Sequence, residues 1–194
     1  MSGIKVPTQQ QLAAIKKRAD KTKDPDDLFG YGYLCWHSYT PALQKEGVKY
    51  LRKAADADHA SAWGLLGDAF SSGIGVTKNK DKAMSCYLKS AELGSAEGYF
   101  SAGMEYMTGG CAEKDEAKAY EYISKAAEMG SSRAFNTLGI MYLIGIHVQK
   151  DREKAKENFE KAAEMGSTRA IQNLKNLENN PDIDFTSVKV EALY

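Results

Sequence analysis

The chain has 194 residues, of which 43% are hydrophobic, so it can bury the core of one domain or one short repeat array. Lysine and arginine number 26, as do aspartate and glutamate, and this balance argues against a nucleic-acid-binding protein, which usually carries net positive charge. No apolar run approaches the roughly 20 residues that span a bilayer, and residues 1–20 lack the apolar stretch of a secretory signal, so we expect a cytoplasmic protein with no membrane partner.

The first predicted element in chain order is a helix over residues 8–20, which we interpret as an N-terminal capping helix. It follows the period of the rest of the chain, because Ala19 lies 36 residues before Ala55. Residues 125–131 and 161–167 share the sequence Lys-Ala-Ala-Glu-Met-Gly-Ser at the same offset of 36. Self-similarity at one fixed period predicts a stacked repeat protein.

Each period contains two predicted helices, here named helix A and helix B. Helix A follows a glycine and a serine, such as Gly130 and Ser131, which suit the end of one helix and the cap of the next. Helix B begins at Asn79, Asp115 or Asp151, which are all good capping residues, and it carries apolar residues three and four apart. Two such helices cannot bury their apolar faces alone, so neighbouring repeats must stack.

The first repeat departs from the pattern. A column of central glycines in helix A contains Gly67, Gly103 and Gly139, and Tyr31 occupies this column one period earlier. Leu43 replaces the capping residue of helix B, whereas Thr40 and Pro41 predict that this helix begins earlier. Asp58 replaces the terminal glycine.

The whole chain therefore divides into six predicted segments. They are an N-terminal capping helix (1–24), a divergent first repeat (25–59), three regular repeats (60–95, 96–131 and 132–167), and a C-terminal capping helix with a tail (168–194).

One period carries a recognisable motif. It reads Ala134-x3-Leu138-Gly139-x2-Tyr142-x2-Gly145-x5-Asp151-x3-Ala155-x3-Phe159-x2-Ala162-Ala163-x2-Gly166. This pattern resembles the Sel1-like repeat, a relative of the tetratricopeptide repeat. The resemblance implies an all-α, right-handed α-solenoid that acts as a scaffold or adaptor for a protein or peptide. It implies no catalytic residue and no cofactor.

The resemblance also suggests where a partner would bind. By analogy with tetratricopeptide arrays, helix A faces a groove through the positions three before, one after, and four and five after the central glycine. The partner-binding residues predicted in this way are Phe100, Met104, Met107, Asn136, Ile140, Leu143 and Ile144. They would form an apolar strip, and exposed strips of this kind mark interaction sites. The alternative is that some of these side chains turn into the core between helices.

The residues for catalysis or metal binding are sparse. The three histidines, His37, His59 and His147, fall at turns and none lies beside a nucleophile motif. Cysteine and histidine pairs such as Cys35 with His37, or Cys111 with His147, do not supply four convergent zinc ligands. We therefore expect neither a metal site nor an enzyme.

Three alternatives to a general adaptor remain open. A dedicated neutralising partner, such as a cytosolic toxin-immunity protein, would use the same fold. An RNA-binding repeat is disfavoured because the groove offers chiefly Arg133 and Arg169. A cysteine-rich branch of the family has been linked to β-lactam-like ligands, but its paired cysteines are missing here. The tail, residues 182–194, is predicted to serve as a lid over the groove or as an end cap.

Overall fold

The computed structural model describes residues 7–179, and the secondary structure of this region is entirely helical. Ten α-helices follow one another with short connections. In chain order they are α1 (Gln9–Thr22), α2 (Pro25–Trp36), α3 (Pro41–Ala55), α4 (Ala60–Ser72), α5 (Lys80–Glu92), α6 (Ala96–Thr108), α7 (Glu116–Glu128), α8 (Ser132–Ile144), α9 (Arg152–Glu164) and α10 (Thr168–Asn179). The even-numbered helices from α2 to α10 are helices A, and α3, α5, α7 and α9 are helices B. The prediction of an all-α repeat solenoid is confirmed.

Polar side chains cap the start of α5, α7 and α9. The side chains of Asn79, Asp115 and Asp151 accept hydrogen bonds of 2.9, 3.0 and 2.9 Å from the backbone N–H three residues later. Each bond satisfies a backbone donor that has no partner inside the helix. Thr40 is the residue before α3 and Pro41 is its first residue, so the predicted early start of this helix is confirmed.

Serine side chains cap most helices A. Ser95, Ser131 and Ser167 accept bonds of 3.1, 3.3 and 3.3 Å from the N–H three residues later. At α4 the cap is His59 instead, and its Nδ1 accepts from the N–H of Ala62 at 3.1 Å. The Nε2 of the same ring lies 3.2 Å from Oδ1 of Asp26, so this one cap also touches the preceding helix A.

Inside each of the three regular repeats a glycine of helix A lies directly against a large side chain of helix B. A Cβ atom added at Gly67 would lie 2.4 Å from Cε1 of Tyr87, and one added at Gly139 would lie 2.5 Å from Cε1 of Phe159. Both facing side chains are buried. Because the glycine presents only hydrogen, the two helices approach more closely than any other residue would allow.

The register of the first repeat differs from the prediction. Tyr31 does not occupy the glycine column, because α2 begins 35 rather than 36 residues before α4. Gly32 takes that place, and a Cβ atom added there would meet the backbone nitrogen of Leu51 at 2.9 Å. Asp58 replaces the terminal glycine as expected and adopts a left-handed φ of 57°.

Successive helices A lie side by side. α4 packs directly against α2 and α6. A salt bridge of 2.8 Å joins Arg133 on α8 to Glu97 on α6, and a hydrogen bond of 2.9 Å joins Asn173 on α10 to Asn136 on α8. The helices A therefore form one continuous surface, which we call the inner face.

A lysine of helix B covers an aromatic ring of helix A in three consecutive repeats. The distances from nitrogen to ring centroid are 5.6 Å for Lys82 over Phe70, 5.2 Å for Lys118 over Tyr106 and 5.5 Å for Lys154 over Tyr142. Each contact of this kind contributes roughly 0.5–1 kcal/mol at an exposed site. None of the helices in residues 7–179 has the length and apolar character needed to cross a membrane.

The glycine contact predicts a stability difference between two glycine-to-alanine substitutions. Gly139→Ala places a methyl group against the buried Phe159 ring, so we expect the free energy of unfolding to fall by about 2 kcal/mol. Gly30 is also helical, but no atom lies within 4 Å of an added Cβ. Gly30→Ala should therefore raise stability by roughly 0.5–1 kcal/mol through helix propensity. Urea unfolding followed by circular dichroism measures both, and equal stability of the two variants would contradict the close-packing argument.

Candidate functional site

Two neighbouring hollows lie on the inner face. The first has a volume of about 430 Å³ and an apolar wall made by Phe29, Tyr33 and Leu65. The second has a volume of about 290 Å³ and is bordered by Phe100, Met104, Glu105 and Arg169. Asp68, Ser101 and Arg133 line both hollows. The two hollows therefore form one depression that crosses the helices A.

Asp68 lies at the junction of the two hollows. Its Oδ1 accepts a hydrogen bond of 2.9 Å from the hydroxyl of Tyr87. Burial raises the pKa of the Asp68 carboxyl above its ordinary value, while the bond from Tyr87 and the charge of Arg133 act in the opposite direction. Among the described residues Asp68 forms no ion pair. Within residues 7–179 this partly buried carboxylate therefore has no direct cationic partner.

Arg133 forms the opposite wall of the junction. Its guanidinium lies 4.4 Å from the centroid of the Phe100 ring, and its Nη1 donates to Oε2 of Glu97 at 2.8 Å. These two contacts hold the guanidinium across the space between α6 and α8. The side chain of Arg133 is largely exposed, so its charge is available to a ligand in either hollow.

Arg169 occupies the equivalent position one repeat later. It is exposed and borders the second hollow. Within residues 7–179 it forms no salt bridge and no side-chain hydrogen bond. The acidic groups of the depression lie on α4 and α6, at Asp68 and Glu105, whereas the basic groups lie on α8 and α10. The depression is therefore acidic toward one end of the array and basic toward the other.

The predicted apolar strip is not exposed as expected. Four of its seven side chains are buried, namely Phe100, Met107, Asn136 and Ile140, with 4%, 3%, 5% and 1% of their surface exposed. Leu143 and Ile144 are half-buried and pack against the cluster that contains Ile140. Met104 is half-buried in the cluster that contains Phe100 and Met107, and it lines the second hollow together with Phe100 and Asn136. The expectation that these residues form an open apolar strip is wrong, and their contribution to binding stays a prediction.

The error is a rotation about the helix axis. The side chains that line the depression lie six, three and two before, and one and two after, the central glycine, as Glu97, Phe100, Ser101, Met104 and Glu105 do in α6. At 100° per residue, this face is turned by roughly 40° from the predicted one, and the two faces share the positions three before and one after the glycine. The signal that could have placed it is the charge of the residue two after each N-cap, where Glu97 and Arg133 stand among small residues.

The thiols and imidazoles do not gather into a site. Cys35, Cys86 and Cys111 are free, and burial raises the pKa of the Cys86 thiol to about 11. The ring of His37 lies against Tyr33, with Nδ1 at 3.0 Å from its carbonyl oxygen. Within residues 7–179, no three side chains of histidine, cysteine, aspartate or glutamate come together as metal ligands.

The prediction of a lid or end cap concerns residues 182–194. These residues lie outside the described part of the chain, so the lid and the end cap both remain predictions.

Comparison with known sequences identifies the repeat. The Sel1 repeat matches residues 25–59, 65–95, 96–131 and 137–167, which is more than half of the chain. The chain belongs to the Sel1 repeat family. No protein with a curated description matches this Sel1 repeat protein in sequence.

Solved structures of other repeat proteins resemble it. A Sel1 repeat protein from Oxalobacter formigenes superposes with a TM-score of 0.80 at 28% identity, covering 98% of this chain and 78% of its own. Helicobacter pylori cysteine rich protein B superposes with a TM-score of 0.52 at 31% identity, and the match covers 66% of this chain and 96% of that protein.

A protective antigen present in uropathogenic Escherichia coli strains shares the fold alone. Its TM-score is 0.75 at 23% identity, and the match covers 89% of this chain. The match covers only 37% of the antigen, so the present Sel1 repeat protein corresponds to little more than a third of it.

The family gives a coarse function. Sel1 repeat proteins are generally non-catalytic scaffolds that bind other proteins. The fold and the family are therefore established for this chain, whereas its partner and binding residues are subjects of proposal.

Because the pKa of Asp68 is raised, we predict that removing its carboxyl group increases the stability of the fold, by an amount that depends on pH. A carboxyl whose pKa is higher in the folded than in the unfolded state binds more protons when the chain is folded. Its contribution to stability therefore falls as the pH rises from the unfolded-state pKa to the folded-state pKa. Asp68→Asn removes the charge and keeps an oxygen that can accept from Tyr87. We expect this variant to be more stable than the wild type at neutral pH, with a difference that shrinks as the pH falls below the ordinary aspartate value.

Asp115 supplies a control, because the same substitution there should change stability in the opposite direction. Hydrogen bonds from the backbone of α7, first that of Lys118, lower the pKa of the Asp115 carboxyl. Its charged form is therefore favoured by folding, and Asp115→Asn should reduce stability at neutral pH and lose this effect in acid. Urea unfolding at several pH values measures both variants. A loss of stability in Asp68→Asn at neutral pH would contradict the assignment of an unfavourable buried charge.

Proposed function

We propose that this chain is a non-catalytic adaptor that binds an extended segment of a partner protein along the inner face. The observation that carries the proposal is the pair of hollows that share Asp68, Ser101 and Arg133 and so form one depression across several helices A. A depression that crosses consecutive repeats suits an elongated ligand better than a compact one.

The dimensions of the array support a peptide ligand. Neighbouring packed helices lie about 10 Å apart, and an extended chain advances about 3.3 Å per residue. About every third residue of an extended segment would therefore meet the next helix A. Small side chains along this path, such as Ser61, Gly64 and Ser101, leave room for the ligand.

The chemistry of the depression supports recognition by polar groups. Its apolar surface comes from separate patches, chiefly Leu65 on α4 and Met104 on α6, rather than from a continuous strip. Charged groups of both signs lie between these patches, at Asp68 and Arg133. Such an arrangement favours a segment with alternating apolar and polar side chains, whose register is fixed by hydrogen bonds and charge.

Blocking the depression tests the proposal. Ser101 lines both hollows, so Ser101→Tyr would place a ring in their junction. We expect the variant to fold and to lose at least about tenfold in affinity for a partner, because loss of about 1.4 kcal/mol of contact energy has this effect. The measurement is quantitative affinity capture from extract of the source cells, followed by titration of the captured protein against each purified variant.

Ser85→Tyr is the matched control. Ser85 is exposed on α5, a helix B, and lines neither hollow of the inner face. The same serine-to-tyrosine change there should leave capture unchanged. A partner that binds the Ser101→Tyr variant as well as the wild type would place recognition elsewhere and end the proposal, as would turnover of a small-molecule substrate by the purified chain.

A further inference from the structure

The residue two after the N-cap changes charge along the array. In the five helices A this position holds Asp26, Ser61, Glu97, Arg133 and Arg169 in chain order. The peptide dipoles of a helix leave partial positive charge at its N-terminus, so an acidic residue in the first turn stabilises the helix and a basic residue opposes it. Asp26 and Glu97 agree with this rule, whereas Arg133 and Arg169 violate it in two consecutive helices.

The neighbours of Arg133 compensate for its position. Glu97, in the same column of the preceding helix A, accepts a hydrogen bond from the guanidinium at 2.8 Å. The ring of Phe100 lies beneath it at 4.4 Å. The violation at α8 is thus offset by two contacts within the chain.

Arg169 has no such compensation among the residues that the structure describes. One repeat along, the residue equivalent to Glu97 is Arg133 itself, and the residue equivalent to Phe100 is Asn136. A cation and an amide therefore stand where Arg133 finds a carboxylate and an aromatic ring. The five N–H donors of Arg169 are exposed at the edge of the second hollow.

We propose that Arg169, together with Arg133, binds the carboxylate of an acidic side chain in the protein segment that occupies the inner face. The inference rests on the proposed function and specifies its ligand. A carboxylate is planar and accepts two parallel N–H bonds, which matches the fork of a guanidinium. Asp68 and Glu105 at the other side of the second hollow repel an acidic side chain, so the position of this group also fixes the register of the bound segment.

The free protein offers a first test. If Arg169 serves a ligand rather than the fold, Arg169→Glu should be neutral or stabilising, because it follows the helix-dipole rule and brings a carboxylate beside Arg133. We expect the melting temperature to rise by about 1–2 °C. A fall in melting temperature would assign Arg169 a structural role and overturn the inference.

Selection from a phage-displayed library of random dodecapeptides provides the ligand for a second test. The bait is the full chain, and selected peptides are synthesised with an amidated C-terminus, so that only side chains supply carboxylates. We expect a shared acidic position. Replacing that residue by its amide, or making Arg169→Gln, should each weaken binding about tenfold, and both changes together should weaken it no further than either alone.

Lys175→Gln is the matched control. Lys175 lies on the same helix as Arg169 and in the column of Gly139, which faces helix B rather than the inner face in the preceding repeat. This variant should bind the selected peptides as the wild type does. Arg169→Lys keeps the charge but loses the fork, so it should recover only part of the affinity.

The outcomes separate the two proposals. Selected peptides that bind the Ser101→Tyr variant weakly, but bind Arg169→Gln as tightly as the wild type, would overturn the carboxylate site. The inner face would then remain the binding surface. Selected peptides that neither Ser101→Tyr nor Arg169→Gln affects would overturn both.

Discussion

The contact between a glycine of helix A and a large side chain of helix B sets the geometry of the three regular repeats. It occurs at Gly67 with Tyr87 and at Gly139 with Phe159, and a methyl group at either glycine would overlap the facing ring. Since the helices are held this close, the apolar stripe of each pair is buried within the repeat and against its neighbours. The polar side of helix A is then left to form the inner face. The position of the candidate site is thus a consequence of packing rather than of any local motif.

The sequence predicts this fold well because its signals are local. Capping residues such as Asn79 and Ser131 act within one turn of helix, and a fixed period repeats them. The register of the first repeat was missed because a single-residue deletion moves Gly32, not Tyr31, into the glycine column. The site was missed for a different reason. Which side of helix A faces solvent depends on the angle at which repeats stack, and a rotation of roughly 40° is enough to bury Ile140 while opening the face that carries Ser101.

Two charges on the inner face work against the stability of the folded chain. Asp68 keeps a carboxylate partly buried, and its hydrogen bond comes from the neutral hydroxyl of Tyr87. Arg169 places a cation at a helix end that favours anions. Natural proteins depart from locally consistent choices mainly where function requires it. Asp68 and Arg169 lie on opposite sides of the second hollow. The ion pair of Arg133 and Glu97 joins α8 to α6, the two helices A that lie between α4 and α10.

The histidine cap of α4 makes one joint of the array unlike the others. Its Nδ1 accepts from the backbone N–H of Ala62, as the serine hydroxyls do at the later caps, but the imidazole also has a second nitrogen that can make a contact of its own. The same ring stacks on Phe29 at 4.4 Å and meets Asp26 through Nε2, so it links the first two repeats. A single imidazole therefore fastens the start of α4 to α2, and the Phe29 wall of the first hollow is braced from the neighbouring repeat, which no serine-capped joint provides.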